Sequence, residues 1–253
     1  ANVRWARKLE EVGVHVVYGL MGLKTHAKLS LVVREEGDAL RRYCHVGTGN
    51  YNPKTARFYD DLGILSSEPS LGEDLSRLFN ELSGYSAKHD YSRILVAPHS
   101  LRKGLLAKIA REKKNHLEGK TAWIRLKLNS LLDEEIIAAL YEAADAGVKI
   151  EIIVRGICAL QFSTQAQKEN IKVRSILGRF LEHSRIYYFK NDGAEEYYIG
   201  SADVMHRNLD RRVEALVRID SEKHKERLGR ILDDSVSDSY STWALLEDNN
   251  WQR

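Results

Sequence analysis

The chain has 253 residues, 43% of them hydrophobic and 30% charged, with 17 Gly and only 3 Pro; this is enough apolar material for a sizeable core and excludes a disordered tail. Its 39 basic and 36 acidic residues leave a formal charge of +3, too little to announce nucleic-acid binding, so any anion site must be local. No apolar run approaches the roughly 18 residues of a membrane span and the start Ala1-Asn2-Val3-Arg4-Trp5 has no signal-peptide character, so the expected location is the cytoplasm.

In chain order, a helix is predicted over Val3 to Glu11, followed by a buried strand in the apolar run Val12 to Gly19. Thr25-His26-Ala27-Lys28 leads into a strand over Leu29 to Val33, and a later strand closes at the turn Gly47-Thr48-Gly49-Asn50. Leu71 to Leu82 and Arg102 to Leu117 have amphipathic helical spacing, separated by the polar turn Ser83 to Ser86 and a strand over Arg93 to Ala97. A domain boundary is placed near residue 90, giving domains 1–90 and 91–253. Next come a strand over Ala122 to Leu128, a helix over Asp133 to Ala146 and a strand from Val148 to Arg155, a right-handed strand-helix-strand unit. Glu182-His183-Ser184-Arg185 then precedes a strand over Ile186 to Phe189, and Gly200-Ser201-Ala202-Asp203 closes another. A strand over Arg212 to Arg218 and a helix from Ser221 to about Asp234 end the compact part, with Glu247 to Arg253 expected to be loose.

Two stretches share one order of events: helix, Gly-Val, apolar strand, Gly, then His-x-Lys or His-x-Arg, a strand, and a small polar turn after a second strand. The fold class expected is α/β, two domains of mixed sheet flanked by helices. The first copy lacks the strand that precedes the helix in the second, and begins inside its helix without a cap or an initiator Met; it is expected to be truncated at its N-terminus.

Residues i and i+2 of a strand share a face, so His26 with Lys28, and His183 with Arg185, can each reach one ligand. Histidine serves as nucleophile, acid or base near neutral pH while the neighbouring cation holds an anion. The turns at 47–50 and 200–203 add N–H donors, a hydroxyl, and the Asn50 carboxamide or Asp203 carboxylate. Two such half-sites facing one another make a phosphoryl-transfer centre in which one His attacks phosphorus and the other works on the leaving or entering oxygen. His15, His45, His89, His99, His116, His206 and His224 lack this context and are read as ordinary structural histidines. For Tyr59 and Arg155 a packing role and a ligand role stay open. Asp60 with Asp61, and Asp233 with Asp234, are adjacent carboxylates expected to be solvated, and no metal site is expected. Cys44 and Cys158 sit in apolar, strand-like runs and read as buried hydrophobes.

The runs Lys24-Thr25-His26-Ala27-Lys28, His45 to Asn52, Lys54 to Tyr59, Leu126-Lys127-Leu128-Asn129, Val154 to Cys158, Leu181-Glu182-His183 and Ser201-Ala202-Asp203 resemble the bacterial polyphosphate kinase family, whose catalytic domains are phospholipase D-like. The resemblance covers nearly the whole chain, as the end of that family's first catalytic domain and the second. It implies reversible transfer of the terminal phosphate of ATP to inorganic polyphosphate, releasing ADP, through a phosphohistidine. It assigns that role to His26, makes His183 the second catalytic histidine beside the nucleotide, and makes Tyr59 and Arg155 ATP contacts. Lys28, Arg185 and Asn50 are further candidates for ATP or phosphate binding. Lys127, Asn129, Arg207 and Arg212 either extend a basic lining toward a polyphosphate path or are ordinary surface or edge residues. Magnesium is expected with ATP, and the family's metal-associated arginines lie upstream of the first helix. No nucleic-acid partner is expected, the intact enzyme is expected to be a homo-oligomer, and peripheral membrane association is left open. Val33, Arg185 and Asp203 depart from the wider phospholipase D pattern and suit the kinase branch. The rival readings are a phospholipase D-like phosphodiesterase or nuclease, and a non-catalytic polyphosphate-binding module; the chain by itself is expected to be inactive.

Overall fold

Apolar residues on both faces of the central strands build the main sheet from two sides. In a computed structural model, which describes residues 2–85, 90–237 and 242–253, the elements are α1 (Asn2–Glu11), β1 (Lys24–Thr25), β2 (Lys28–Glu36), β3 (Ala39–Gly47), β4 (Tyr59–Asp60), β5 (Gly63–Ser66), α2 (Pro69–Leu82), β6 (Ile94–Ala97), α3 (Leu101–Leu117), β7 (Trp123–Leu128), α4 (Glu134–Asp145), β8 (Lys149–Val154), α5 (Gln165–Asn170), β9 (Ile171–Ile176), β10 (Leu181–Glu182), β11 (Ile186–Phe189), β12 (Glu196–Gly200), α6 (His206–Asp210), β13 (Arg212–Ile219), α7 (Glu222–Val236), β14 (Thr242–Leu245) and β15 (Trp251–Gln252). Ile124, Leu126 and Leu128 of β7, Ile150, Ile152 and Val154 of β8, and Tyr187 and Phe189 of β11 pack against Leu101, Leu105 and Ile109 of α3 and Ile136, Leu140 and Ala143 of α4. The intervening residues Ile153, Ile186 and Tyr188 turn to the other face and meet α2, α7 and the buried Cys44 and Val46 of β3. Each fully buried Leu or Ile contributes roughly 1.5–3 kcal/mol, so the sheet is held from two faces in an α/β architecture, as expected.

The main sheet runs β1-β13-β12-β11-β7-β8-β9-β14-β15, with β6 also on β13. The central β7, β8 and β9 are parallel, their neighbours antiparallel, and β1 runs parallel to β13 at one edge. α4, capped by the Asp133 side chain on the Ile136 N–H at 3.1 Å, links β7 to β8 as the sequence predicted. A smaller antiparallel sheet, β2-β3-β5, repeats the connectivity of β11-β12-β13. The two copies agree in detail. Gly47 and Gly200 end the middle strands, the Thr48 N–H donates to the Leu62 carbonyl (2.8 Å) as the Ser201 N–H does to Ala215 (3.0 Å), and both hydroxyls accept the return N–H (2.9 and 3.2 Å). A Cβ at Gly200 would overlap the Ala215 carbonyl, which is why only glycine fits there.

Several expectations change. Val12 to Gly19 forms no strand: Val14 and Val17 are exposed, and no strand among the described residues pairs with the run. The tail is not loose, because β14 and β15 form an antiparallel hairpin that extends the sheet from β9, and Asn249 fastens it by two hydrogen bonds to the Phe162 backbone (2.6 and 3.1 Å). Cys44 is buried in β3, whereas Cys158 is only half-buried and meets Leu131 through an isolated bridge; both are free thiols. Ser86 of the polar turn and His89 lie outside the described residues, next to the boundary expected near residue 90.

Candidate active site

Short parallel pairings dock each half of the chain on the other. β1 joins β13, with Thr25 opposite Val213, and the His26 and Ala27 N–H groups both donate to the Val213 carbonyl at 2.9 Å. In the other direction β4 joins β10, with Tyr59 opposite Leu181, and the His183 N–H donates to the Asp60 carbonyl at 3.1 Å. Neither histidine therefore lies on a strand as expected; each sits in the short break between two strands, where pairing to the opposite half fixes its backbone. The cation two residues on is nevertheless brought to the ring.

The carboxylates are crossed as well. His26 Nδ1 lies 2.8 and 2.9 Å from the two oxygens of Glu214, a fully buried residue of the second copy. His183 Nδ1 lies 2.7 Å from Asp61, a residue of the first copy that also accepts from the Thr48 hydroxyl at 2.7 Å. A carboxylate can only accept, so each ring carries its proton on Nδ1 and presents the Nε2 lone pair. Asp61 corrects an expectation: it is not a solvated surface carboxylate but an orienting partner. Burial would raise its pKa, but the hydrogen bonds from His183 and Thr48, with the charge of Arg185, outweigh burial and hold it below the usual carboxylate range. Both carboxylates were missed in the sequence, although Asp61 follows Gly47 by the same fourteen residues as Glu214 follows Gly200.

The two cations differ. Lys28 is buried, with Nζ 2.9 Å from His26 Nε2 and 3.1 Å from Nδ1, and among the described residues no carboxylate is within ion-pair distance of it. Burial, aided by the charges of Arg185 and Arg212 and opposed by Glu214 and Asp61, pushes it down to about 8. Burial also lowers His26, with Lys28 and Arg212 acting in the same sense against Glu214, so the ring is neutral at pH 7. Arg185 is buried and closed on itself: it pairs with Asp203 at 2.9 Å, donates to the carbonyls of His183 (2.8 Å) and Thr48 (3.2 Å), and stands 3.3 Å from His183 Nε2. Held by Asp203, it ties the two halves together through the Thr48 carbonyl.

The remaining candidates separate by position. The Tyr59 ring is 4.8 Å from that of His183. Arg155 follows β8, its N–H bonded to the Leu128 carbonyl at 3.2 Å. The buried Asn129 amide lies between Arg155 and Arg185. Turned one way its oxygen accepts from Arg155 Nε at 3.3 Å; turned the other it accepts from Arg185 at 2.6 and 3.1 Å while its NH2 donates to the Glu182 carbonyl at 2.9 Å, which satisfies both ends. Arg212 is half-buried, 3.9 Å from Glu214, and feels the charge of the exposed Arg207, so it brings positive charge to the His26–Glu214 pair. Lys127 does not join it, being buried and engaged by Glu182 (2.6 Å) and Ser184 (2.8 Å). Asn50 is exposed, its backbone carbonyl taken by the Asn52 N–H, with no contact to either histidine. Of the background histidines, His45 bonds Tyr51 (2.6 Å) and His206 bonds Asp210 (2.8 Å). Asp233 pairs with Arg125 at 2.7 Å.

Two family models match the chain, one described as polyphosphate kinase C-terminal domain 1 over residues 1–88 and one as polyphosphate kinase C-terminal domain 2 over residues 94–253. A polyphosphate kinase of Streptomyces coelicolor is 58% identical over 253 residues, covering 100% of this chain and 34% of the relative. One of Synechocystis sp. is 55% identical over 250 residues, covering 99% and 34%. The crystal structure of a polyphosphate kinase from Porphyromonas gingivalis superposes with a TM-score of 0.91 at 34% identity, over 99% of this chain and 39% of that one. The chain spans about a third of the length of the curated relatives it matches.

Proposed function

The chain belongs to the polyphosphate kinase family, and from that premise we propose that the protein carrying it reversibly transfers the γ-phosphate of ATP to inorganic polyphosphate through a phosphohistidine on His26. The crossed pairing of His26 with Glu214 and His183 with Asp61 carries the reading, because it makes two repeated half-sites a single centre with two oriented imidazoles.

The Nε2 lone pair of neutral His26 forms the N–P bond as the bond from γ-phosphorus to its bridging oxygen breaks, the electron pair leaving on ADP. The Nδ1 proton stays with His26, and Glu214 offsets the positive charge that builds on the ring. A terminal polyphosphate oxygen then attacks the phosphorus and the N–P bond breaks, returning His26 to its neutral form. His183, held by Asp61 and flanked by Tyr59, serves the leaving and entering oxygens as acid or base. Lys28, Arg155 and Arg212 stabilise the charge of the transferring group, and Arg207 extends the approach for polyphosphate. Magnesium enters with ATP as part of the substrate. Among the described residues no helix is long and apolar enough to cross a membrane.

The test is polyphosphate synthesis from ATP, and ATP formation from ADP and polyphosphate, by the intact protein. Both are expected, and both are lost in His26→Ala. Hydrolysis of a model phosphodiester without nucleotide, and no transfer from ATP, would overturn the reading.

A further inference from the structure

Behind the His26–Glu214 pair stands a third buried side chain. Asn208, in the short α6 that follows the Gly200 to Asp203 turn, is 1% exposed and its Nδ2 donates to Glu214 Oε1 at 2.7 Å. Its own oxygen is buried and has no hydrogen-bond partner. The orientation is dictated by chemistry, since turning the amide over would bring two acceptors together. A half-satisfied amide costs stability where an apolar side chain of the same size would not, so its packing does not account for it. What the amide does is reach the carboxylate that orients His26.

We infer that Asn208 is a positioning residue for phosphoryl transfer: by donating to Glu214 it fixes the carboxylate against His26 Nδ1, holding the proton there and the Nε2 lone pair toward phosphorus. The inference rests on His26 being the phosphoryl acceptor. The second half-site has a counterpart in the Thr48 hydroxyl on Asp61, so each histidine is backed by a carboxylate and a neutral donor, a hydroxyl in one case and a carboxamide in the other. The charged groups facing the His26–Glu214 pair are Lys28 from β2, 2.9 Å from the ring, and Arg212 from β13, 3.9 Å from the carboxylate; Arg185, Asp203 and the buried Tyr187 lie within electrostatic reach. Asn208 is the neutral member of this group, so replacing it alters how charge is shared without adding or removing any.

Without the Asn208 donor, Glu214 concentrates its charge on the imidazole and favours the protonated ring. In the intact protein, Asn208→Leu is expected to lower kcat roughly ten- to a hundredfold with KM for ATP little changed. The acid limb of the pH profile moves up by about half a unit or more. In a Glu214→Gln background the same change should add less than about twofold, since its route is already cut. Unchanged kcat and limb in folded Asn208→Leu, or an equal loss in both backgrounds, would overturn the inference. Should Asn208→Leu fail to fold, Asn208→Ala with nitrogen-15 NMR of the His26 ring serves instead. The midpoint of the His26 ring's titration is expected to move up by about half a unit in the variant, and an unchanged midpoint would refute the role. This readout needs no turnover, so absence of transfer from ATP would defeat the functional reading while still leaving Asn208 decided.

Discussion

Lys28 offers the most quantitative prediction. Its ammonium is 2.9 Å from the attacking nitrogen, buried, and pushed down to about 8 by burial. About nine-tenths of it is charged at pH 7 and about a tenth at pH 9. If only the charged form supports transfer, kcat/KM for ATP, which reports the free enzyme, falls about tenfold between pH 7 and 9. The limb in kcat lies higher, because bound phosphate holds the proton on Lys28. Lys28→Arg should abolish the limb at a cost in rate, since guanidinium stays charged but is planar and longer. A flat kcat/KM profile to pH 9.5, or the same limb in Lys28→Arg, would refute the assignment. Stability carries the opposite sign. The folded value lies below the ordinary 10.5, so the folded chain binds this proton less readily than the unfolded chain. The penalty is full below pH 8 and disappears as pH rises toward 10.5. Lys28→Met should therefore raise stability at pH 7 by on the order of 3 kcal/mol in urea unfolding while removing most of the activity.

Asp61→Asn should lower kcat by roughly 10²–10⁴, since a carboxamide can donate to His183 Nδ1 and stabilise the wrong tautomer; steady-state kinetics on the folded variant would show it. Arg185→Met leaves Asp203 buried and unpaired and should destabilise by about 3–5 kcal/mol in denaturant unfolding, with much of that recovered in Arg185→Met/Asp203→Leu. Asp203 and Asp61 are both held below the usual carboxylate range, Asp203 by Arg185 against the opposing effect of burial. Their stabilising contribution is present above pH 4 and lost as pH falls through the lowered values, so acid unfolding of Arg185→Met should begin at higher pH than in the parent. Asn249→Ala loses both bonds to Phe162 and a left-handed turn residue, and should speed hydrogen exchange at 242–252 with little change elsewhere.

The repeat was legible because a tight turn after a strand requires Gly, and a histidine with a cation two residues on is a short local pattern. Most of its strands and the helix beginning at Asp133 followed from periodicity alone. Long-range pairing was not legible. Nothing local to Glu214 says that it faces a histidine 188 residues away, and Asp61 next to Asp60 has the look of a solvated pair. The shared interval after Gly47 and Gly200 held that information, but only a position-by-position alignment of the two copies exposes it. The run at 12–19 has strand composition, yet a strand exists only where a neighbour takes its hydrogen bonds. The tail failed in the opposite sense, since Asp248-Asn249-Asn250 reads as polar and loose while Asn249 supplies a positive-φ turn residue. Lys127 was placed correctly on β7, but its partners on β10 and in the break after it come from a part of the chain that periodicity does not connect to it.

The central claim is that His26 accepts the phosphoryl group at Nε2. The intact protein, incubated briefly with γ-labelled ATP and digested, should yield acid-labile, base-stable label on the peptide containing His26, attached at Nε2. The label should be absent from His26→Ala and discharged by ADP. Undiminished label in His26→Ala, or attachment at Nδ1, where Glu214 is bonded, would contradict it.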